Sequence, residues 1–387
     1  MSDTLKLTGI TWNHTRGYLP MVATAQRFGE THPGVEIAWQ KRSLQEFADF
    51  PIEKLAESFD LLVIDHPFAG FAAAHPVLLP LDELLPAEFL ADQAANSVGE
   101  SHASYTFDGH QWALAIDAAT PVSAYRPDLL ERFAVEIPES WDGLLDLARR
   151  GMVALPAIPV DSLMHFYMLC GGLGEDPFVE ESRVVREEIG VAALERLREL
   201  VSLCGPECLR RNPIATYEAM VARDDLVYCP FAYGYSNYAR PGYARTVLHF
   251  VGLISFDQGG TERRLRSTLG GTGLAISQRC RQVDVAIEYA RVVADRDCQR
   301  QLYFTSGGQP GHRSAWTDMG VNAASNNFFA NTLATLDEAY LRPRYDGYLH
   351  FQDEAGTVVH RYLVEGGDAR SALSTLETMY QRSRQGQ

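Results

Sequence analysis

The run Asp60-Leu61-Leu62-Val63-Ile64-Asp65 narrows the choice of fold more than any other stretch of the chain. Consecutive apolar residues between two carboxylates leave no polar face. A strand made of them must be covered on both sides, as a central strand of a parallel sheet is when helices pack above and below it. Parallel strands need crossover connections, and the opening segment supplies one. Leu5 to Trp12 is a β-prone run, and Leu19 to Glu30 carries Met21, Ala25 and Phe28 at helical spacing. His32-Pro33-Gly34 breaks the helix, and Val35 to Trp39 alternates apolar and polar residues. The segment therefore reads β-α-β, and the fold class is α/β.

Alternation of strand and helix continues. Trp112 to Ile116 is a strand candidate, Pro121 and Tyr125-Arg126-Pro127-Asp128 lead into an amphipathic surface helix, and Trp141 to Leu209 is mainly helical. Leu226 to Pro230 and Val251 to Phe256 are further strands, with Phe231, Tyr233, Tyr235, Tyr238 and Tyr243 in an aromatic loop between them. Gly270-Gly271-Thr272-Gly273 reads as a turn before the strand Leu274-Ala275-Ile276. Helical patterns return around Thr332 to Tyr340 and Ala369 to Tyr380.

A length of 387 residues exceeds what one ordinary core organises and predicts two domains. A formal net charge of −16 argues against binding a phosphate backbone, which needs concentrated lysine and arginine. Nucleic acid is not an expected partner. No stretch approaches the roughly 20 apolar residues of a membrane span, so membrane insertion is not expected. The amino terminus, Met1-Ser2-Asp3-Thr4-Leu5-Lys6, lacks a basic region followed by a long apolar core, and the chain as it stands reads as cytoplasmic. The six cysteines have no zinc-site spacing and are expected to be reduced and mostly buried. No cofactor or metal is expected.

In open α/β sheets ligands sit at the carboxyl ends of the strands. Trp12, Asn13, His14 and Arg16 follow the first strand, and Asp65 and His66 follow a later one, so the two groups converge if those strands are neighbours. Arg16 suits bidentate capture of a carboxylate or phosphate, the alternative being a surface arginine. His14, Asp65 and His66 suit hydrogen bonding to a polar ligand or, as the rivals, a metal site or acid/base chemistry. Trp12, Tyr125, Tyr233 and Tyr235 offer flat faces for stacking, with packing as the alternative.

Four stretches carry a family resemblance: Thr31 to Ile37, Asp60 to His66, Gly270 to Ile276, and Gly307-Gly308-Gln309-Pro310-Gly311-His312-Arg313. In order and spacing they resemble the type II extracellular solute-binding proteins of ABC importers, of the sugar and maltose kind. The resemblance implies two hinged, discontinuous lobes with crossings near Ile116, Phe256 and Pro310. On that expectation residues 1–116 begin lobe 1, 117–256 begin lobe 2, 257–312 return to lobe 1, and 313–387 complete lobe 2. It further implies capture of a small polar solute, a sugar or an organic anion, by hinge closure, with an ABC transporter membrane component as partner. The alternatives are a cytoplasmic enzyme on this scaffold and a ligand sensor. Arg16-Gly17-Tyr18 resembles the family's contact loop, so Arg16 and Tyr18 inherit a ligand-contact role. Asp65 and His66 resemble a polar contact loop, Tyr233 and Tyr235 fall in the region of sugar-stacking aromatics, and Gly271, Thr272 and Arg313 join the implied ligand set.

Overall fold

The computed structural model describes residues 4–44, 51–258 and 261–385. Ten strands are used below: β1 Leu5–Trp12, β2 Val35–Arg42, β3 Leu61–Ile64, β4 Leu114–Ala119, β5 Pro121–Tyr125, β6 Tyr228–Tyr233, β7 His249–Val251, β8 Ser255–Gln258, β9 Thr261–Arg264 and β10 Gly270–Ile276. The principal helices are α1 Thr15–Thr31, α2 Trp141–Arg149, α3 Pro159–Gly172, α4 Glu187–Leu203, α5 Val283–Ala294, α6 Phe328–Asp337, α7 Tyr348–Glu365 and α8 Ala369–Arg384. The chain divides into two compact units, one of Met1–Ala119, Gly270–Ala323 and Arg344–Asp346, the other of Thr120–Leu269, Ala324–Pro343 and Gly347–Gln387.

The first unit is built on a sheet of order β2-β1-β3-β10-β4. Strands β1, β2 and β3 are parallel, and β10 runs antiparallel to both β3 and β4. The β1-α1-β2 unit is present, with β1 and β2 paired in register from Leu5↔Val35 to Trp12↔Arg42. Strand β3 is central and no residue in it exceeds 1% exposure, as its unbroken apolar sequence requires. Helices α1 and α5 bring Met21, Phe28, Ala286, Tyr289 and Val293 into one core with Leu7, Trp39, Val63, Ile116 and Leu274. The buried Tyr289 hydroxyl is satisfied by Thr24 Oγ1 at 2.9 Å and Trp39 Nε1 at 3.1 Å.

The second unit holds an antiparallel sheet of order β6-β5-β7 and a large helical part. Helix α3 is apolar nearly all round, and every residue from Asp161 to Cys170 is buried, so it is a core helix rather than a surface one. Gly356 of α7 permits close approach to it, since a Cβ there would lie 2.8 Å from the Pro159 carbonyl oxygen.

Several sequence expectations are corrected. Gly270 to Gly273 is not a turn but the first half of β10, with Thr272 paired to Asp117. Val251 to Phe256 is not one strand: β7 ends at Val251 and β8 begins at Ser255. The strand expected at Leu226 to Pro230 runs from Tyr228 to Tyr233, which puts Phe231 and Tyr233 on a strand rather than in a loop. Arg126 is buried, with hydrogen bonds to Asp128, Asp224 and the carbonyls of Met220 and Arg223, so the start of its helix is not a surface feature.

The unit boundaries also differ from the expected ones. Residues 257–269 belong to the second unit, where Ser255 bridges to Ser140 and Phe256 stacks on Trp141, and the return to the first unit waits for β10 at Gly270. Residues 313–323 remain in the first unit, and Arg344–Asp346 revisits it, with Arg344 Nη1 donating to the carbonyls of Ala103, Ser104 and Thr106.

Candidate functional site

The ends of β1 and β3 and the beginning of β10 lie along one edge of the first unit's sheet, because Trp12 stands level with Ile64 and Ile64 pairs with Gly273. The loops holding Asn13 and His14 and holding Asp65 and His66 therefore adjoin, and Thr272 stands beside them. Asn13 is exposed and His14 is half-buried. His14 is the N-cap of α1, with Nδ1 accepting the Arg16 backbone N–H at 3.0 Å. Burial, and secondarily the Arg16 charge, push the imidazole down to about 4, so the ring is neutral with its proton on Nε2.

Arg16 is 4% exposed, and its guanidinium is held by Asp117 of β4. Nε donates to Asp117 Oδ2 at 2.8 Å and Nη2 to Oδ1, a bidentate buried pair. Burial pushes the Asp117 carboxyl up, and the guanidinium bonded to it pulls the other way. Arg16 is therefore not the surface arginine of the alternative reading, and its fork already holds a carboxylate. Asp117 was not singled out in the sequence, although an acidic residue inside the apolar strand Leu114-Ala115-Ile116-Asp117-Ala118-Ala119 is a signal of its own.

Asp65 Oδ1 accepts the His66 backbone N–H at 2.8 Å and lies 3.1 Å from His66 Nδ1. His66 is 1% exposed and meets Tyr105 edge-on. Gly271 has φ +110°, and a Cβ on it would lie 2.3 Å from the Asp117 carbonyl oxygen, so only glycine lets β10 pass there. Thr272 is 5% exposed, and its buried Oγ1 has no hydrogen-bond partner among the described residues.

Other residues of the expected set lie elsewhere. Trp12 belongs to the core, its ring covered by Gly17, where a Cβ would fall 2.3 Å from the indole. Tyr18 is half-buried beneath Lys41 Nζ, 5.0 Å from its ring. Arg313 donates from Nε to the Ser97 carbonyl at 2.8 Å. Residues Gln309 to Gly311 run back along β4 from Ala118 to Ile116, carrying Arg313 away from Thr272.

In the second unit the register separates the tyrosines. Tyr233 pairs with Pro121 and Tyr125 with Tyr228, so they mark opposite ends of the β5-β6 pair. At about 3.4 Å per residue this is too far for both to touch one small solute. Tyr233 is half-buried, with its hydroxyl 3.2 Å from Thr268 Oγ1, whereas Tyr235 is 5% exposed and packs on Tyr217. Phe231 and Tyr238 are each 1% exposed. Phe231, Tyr235 and Tyr238 are core, whereas Tyr233 and Tyr243 are half-buried.

Residues 11–179 match the family model of the bacterial extracellular solute-binding protein. A maltose-bound MalE3 from T. maritima superposes with a TM-score of 0.84 at 19% identity, covering 98% of this chain and 99% of that one. The fold is that of the two-lobe solute-binding proteins. A solute-binding protein from Agrobacterium radiobacter in complex with ribitol gives a TM-score of 0.81 at 17% identity, and one from Thermotoga lettingae bound with α-D-tagatose gives 0.83 at 16%. Each covers 98% of this chain and is itself covered to 99%. No curated protein matches. Among the described residues of this solute-binding fold, no helix is long and apolar enough to cross a membrane and no group of three or more His, Cys, Asp or Glu is placed to hold a metal ion.

Proposed function

We propose that the chain captures a small, uncharged polyhydroxylated solute, a sugar or sugar alcohol, between its two lobes by hinge closure, and delivers it to an ABC importer. The observation that carries this reading is the polar edge of the first unit's sheet. Asn13, His14, Asp65, His66 and Thr272 lie along it, the Arg16 guanidinium is neutralised by Asp117, and the Arg42 guanidinium at the end of β2 donates to the Val63 carbonyl. The neutral His14 imidazole, the Asp65 carboxylate and the Thr272 hydroxyl, which has no partner among the described residues, form a mixed donor and acceptor set suited to the hydroxyl groups of a solute.

Tyr233 is the second unit's contribution. It pairs with Pro121, two residues after Ala119, where the chain leaves the first unit, and its hydroxyl meets Thr268, two residues before Gly270, where the chain re-enters it. An aromatic face beside both connecting segments suits stacking on a sugar ring, which supports this reading. The similar solved structures include proteins bound with maltose, ribitol and tagatose, which supports the same solute class here.

The experiment is a thermal-shift and calorimetric screen of sugars, sugar alcohols and organic acids, followed by mass spectrometry of each confirmed ligand after incubation with the protein. Binding of a neutral polyol without conversion is the expected result. Binding confined to organic anions, or multiple turnovers abolished by His14→Ala or His66→Ala in a folded protein, would replace this reading with an anion binder or an enzyme.

A further inference from the structure

A recess of about 570 Å³ opens within the second unit, and no residue of the candidate site lines it. Three segments meet there: Gly171 and Gly174 at the carboxyl end of α3, followed by Asp176; Arg264 at the end of β9, followed by Arg266; and Glu338, directly after α6. The end of α3 is closed by a tight turn. The Gly174 N–H donates to the Gly171 carbonyl at 3.1 Å and the Glu175 N–H to the Cys170 carbonyl at 3.2 Å, with Gly174 at φ +106°. Gly171 leaves room for the chain that follows, since a Cβ on it would lie 2.8 Å from Asp176 Oδ1.

Four of the lining residues are charged, and two of them serve each other. Arg266 Nη1 donates to Asp176 Oδ2 and its Nε to the Glu338 carbonyl at 2.8 Å, with the guanidinium 5.8 Å from the centre of the Tyr340 ring. That pair is a neutral, fixed part of the wall. The other two charges are unoccupied: the Arg264 guanidinium and the Glu338 carboxylate are exposed, and neither side chain makes an ion pair or hydrogen bond among the described residues. One recess therefore offers a positive and a negative group that do not satisfy each other. A simple anion drawn to Arg264 meets the Glu338 carboxylate as a like charge, and a simple cation drawn to Glu338 meets Arg264. A molecule carrying both charges avoids either conflict. Guanidinium binds a carboxylate through two parallel N–H donors, and an ammonium has three donors for a carboxylate and for the carbonyl-rich, partly negative end of a helix such as α3.

We propose that this recess is a second binding site, for a zwitterionic amino acid, with the ligand carboxylate on Arg264 and its ammonium on Glu338 beside the end of α3. The volume lies within the range of small-molecule sites. The site shares no residue with the polyol capture proposed above and stands or falls without it. Because both anchoring charges are exposed, binding weakens as salt is added.

The test is an amide NMR titration of the intact chain with glycine and with γ-aminobutyrate, which carry the same two charges at short and long separation. Saturable movement of the Gly171, Gly174 and Arg266 signals by at least one of them is expected, with a Kd of about 1 mM or below. Arg264→Gln and Glu338→Gln replace exposed charges by neutral amides, so both variants should unfold at the wild-type temperature, and each should bind about three- to tenfold more weakly. Acetate and methylammonium, with one charge each, should bind more weakly than the zwitterion. The proposal is overturned by the absence of saturable movement with either amino acid at ~10 mM, by undiminished affinity in both variants, or by tighter binding of acetate or methylammonium. Movement confined to Asn13, His14 and Thr272 would also overturn it, by assigning the amino acid to the candidate site of the first unit.

Discussion

Arg16 shows how far a residue's role depends on a partner that local sequence does not reveal. Its position after β1 marks it for an anion, but the carboxylate that takes its fork is Asp117, 101 residues along the chain. Removing one partner of a buried pair leaves the other charge uncompensated, which typically costs about 3–5 kcal/mol. Arg16→Ala is therefore expected to lower the denaturant midpoint of the first unit strongly, with any loss of affinity following from loss of the fold; undiminished stability would mean that Asp117 finds another partner. Thr272 offers the opposite case. Its Oγ1 is buried without a partner, so Thr272→Val deletes a desolvated hydroxyl and should leave stability unchanged or slightly raised. If that hydroxyl contacts solute, affinity falls by about 0.5–1.5 kcal/mol, roughly two- to tenfold, in calorimetry with a confirmed ligand. His14, Asp65 and His66 were legible as a group because strand ends are where polar side chains collect. Asp117 was legible as an anomaly, an acid within an apolar strand. That it holds Arg16 was not, since the pairing depends on β10 lying between β3 and β4.

Among the elements, the ones with a strong internal pattern were readable and the ones shaped by tertiary contacts were not. The β1-α1-β2 unit announces itself by period, by the His32-Pro33-Gly34 break and by the alternation in β2. The glycine-rich start of β10 reads locally as a turn, yet it pairs with β4 from Gly270↔Ala119 onward because the neighbouring backbone needs room at Gly271. Gly271→Ala would put a Cβ into that backbone at a positive φ, and a cost of about 1–3 kcal/mol is expected in equilibrium denaturation. The start of α1 gives a pH test. His14 caps the helix as a neutral ring, with its pKa pushed down to about 4 against an ordinary 6.5, so the unfolded chain takes up the proton first and stability is lost as pH falls between those values. His14→Asn retains a cap acceptor and should remove this share of the acid sensitivity, while His14→Ala should cost about 1 kcal/mol at neutral pH. Denaturation curves of the two variants at pH ~7 and ~5 separate cap from charge; identical acid slopes for wild type and His14→Asn would show that His14 does not titrate in this range.

For the whole molecule, the α/β class and the discontinuous two-unit plan followed from length, from the unbroken strand β3 and from the order of four family-like stretches. The places where the chain changes units did not, because they depend on which unit a segment packs against: residues 257–269 stay with the second unit through Ser140 and Trp141, and Arg344–Asp346 returns to the first through the carbonyls of residues 103–106. This plan is the physical basis of the proposed capture. A solute that touches residues of both units favours the arrangement in which all contacts are made, and it shifts the population only by its difference in affinity between arrangements. A polyol confirmed by calorimetry is therefore expected to compact the protein in solution scattering, lowering the radius of gyration and narrowing the distance distribution. The Tyr233→Ala variant isolates the second unit's share. It should retain the weak contacts of the first unit's polar edge but bind at least about tenfold more weakly, since aromatic contact is worth about 0.5–1.5 kcal/mol beyond the area it buries. It should also show less compaction at matched ligand concentration. Tight binding with unchanged dimensions, in wild type and variant alike, would place the solute within one unit and remove hinge closure from the mechanism.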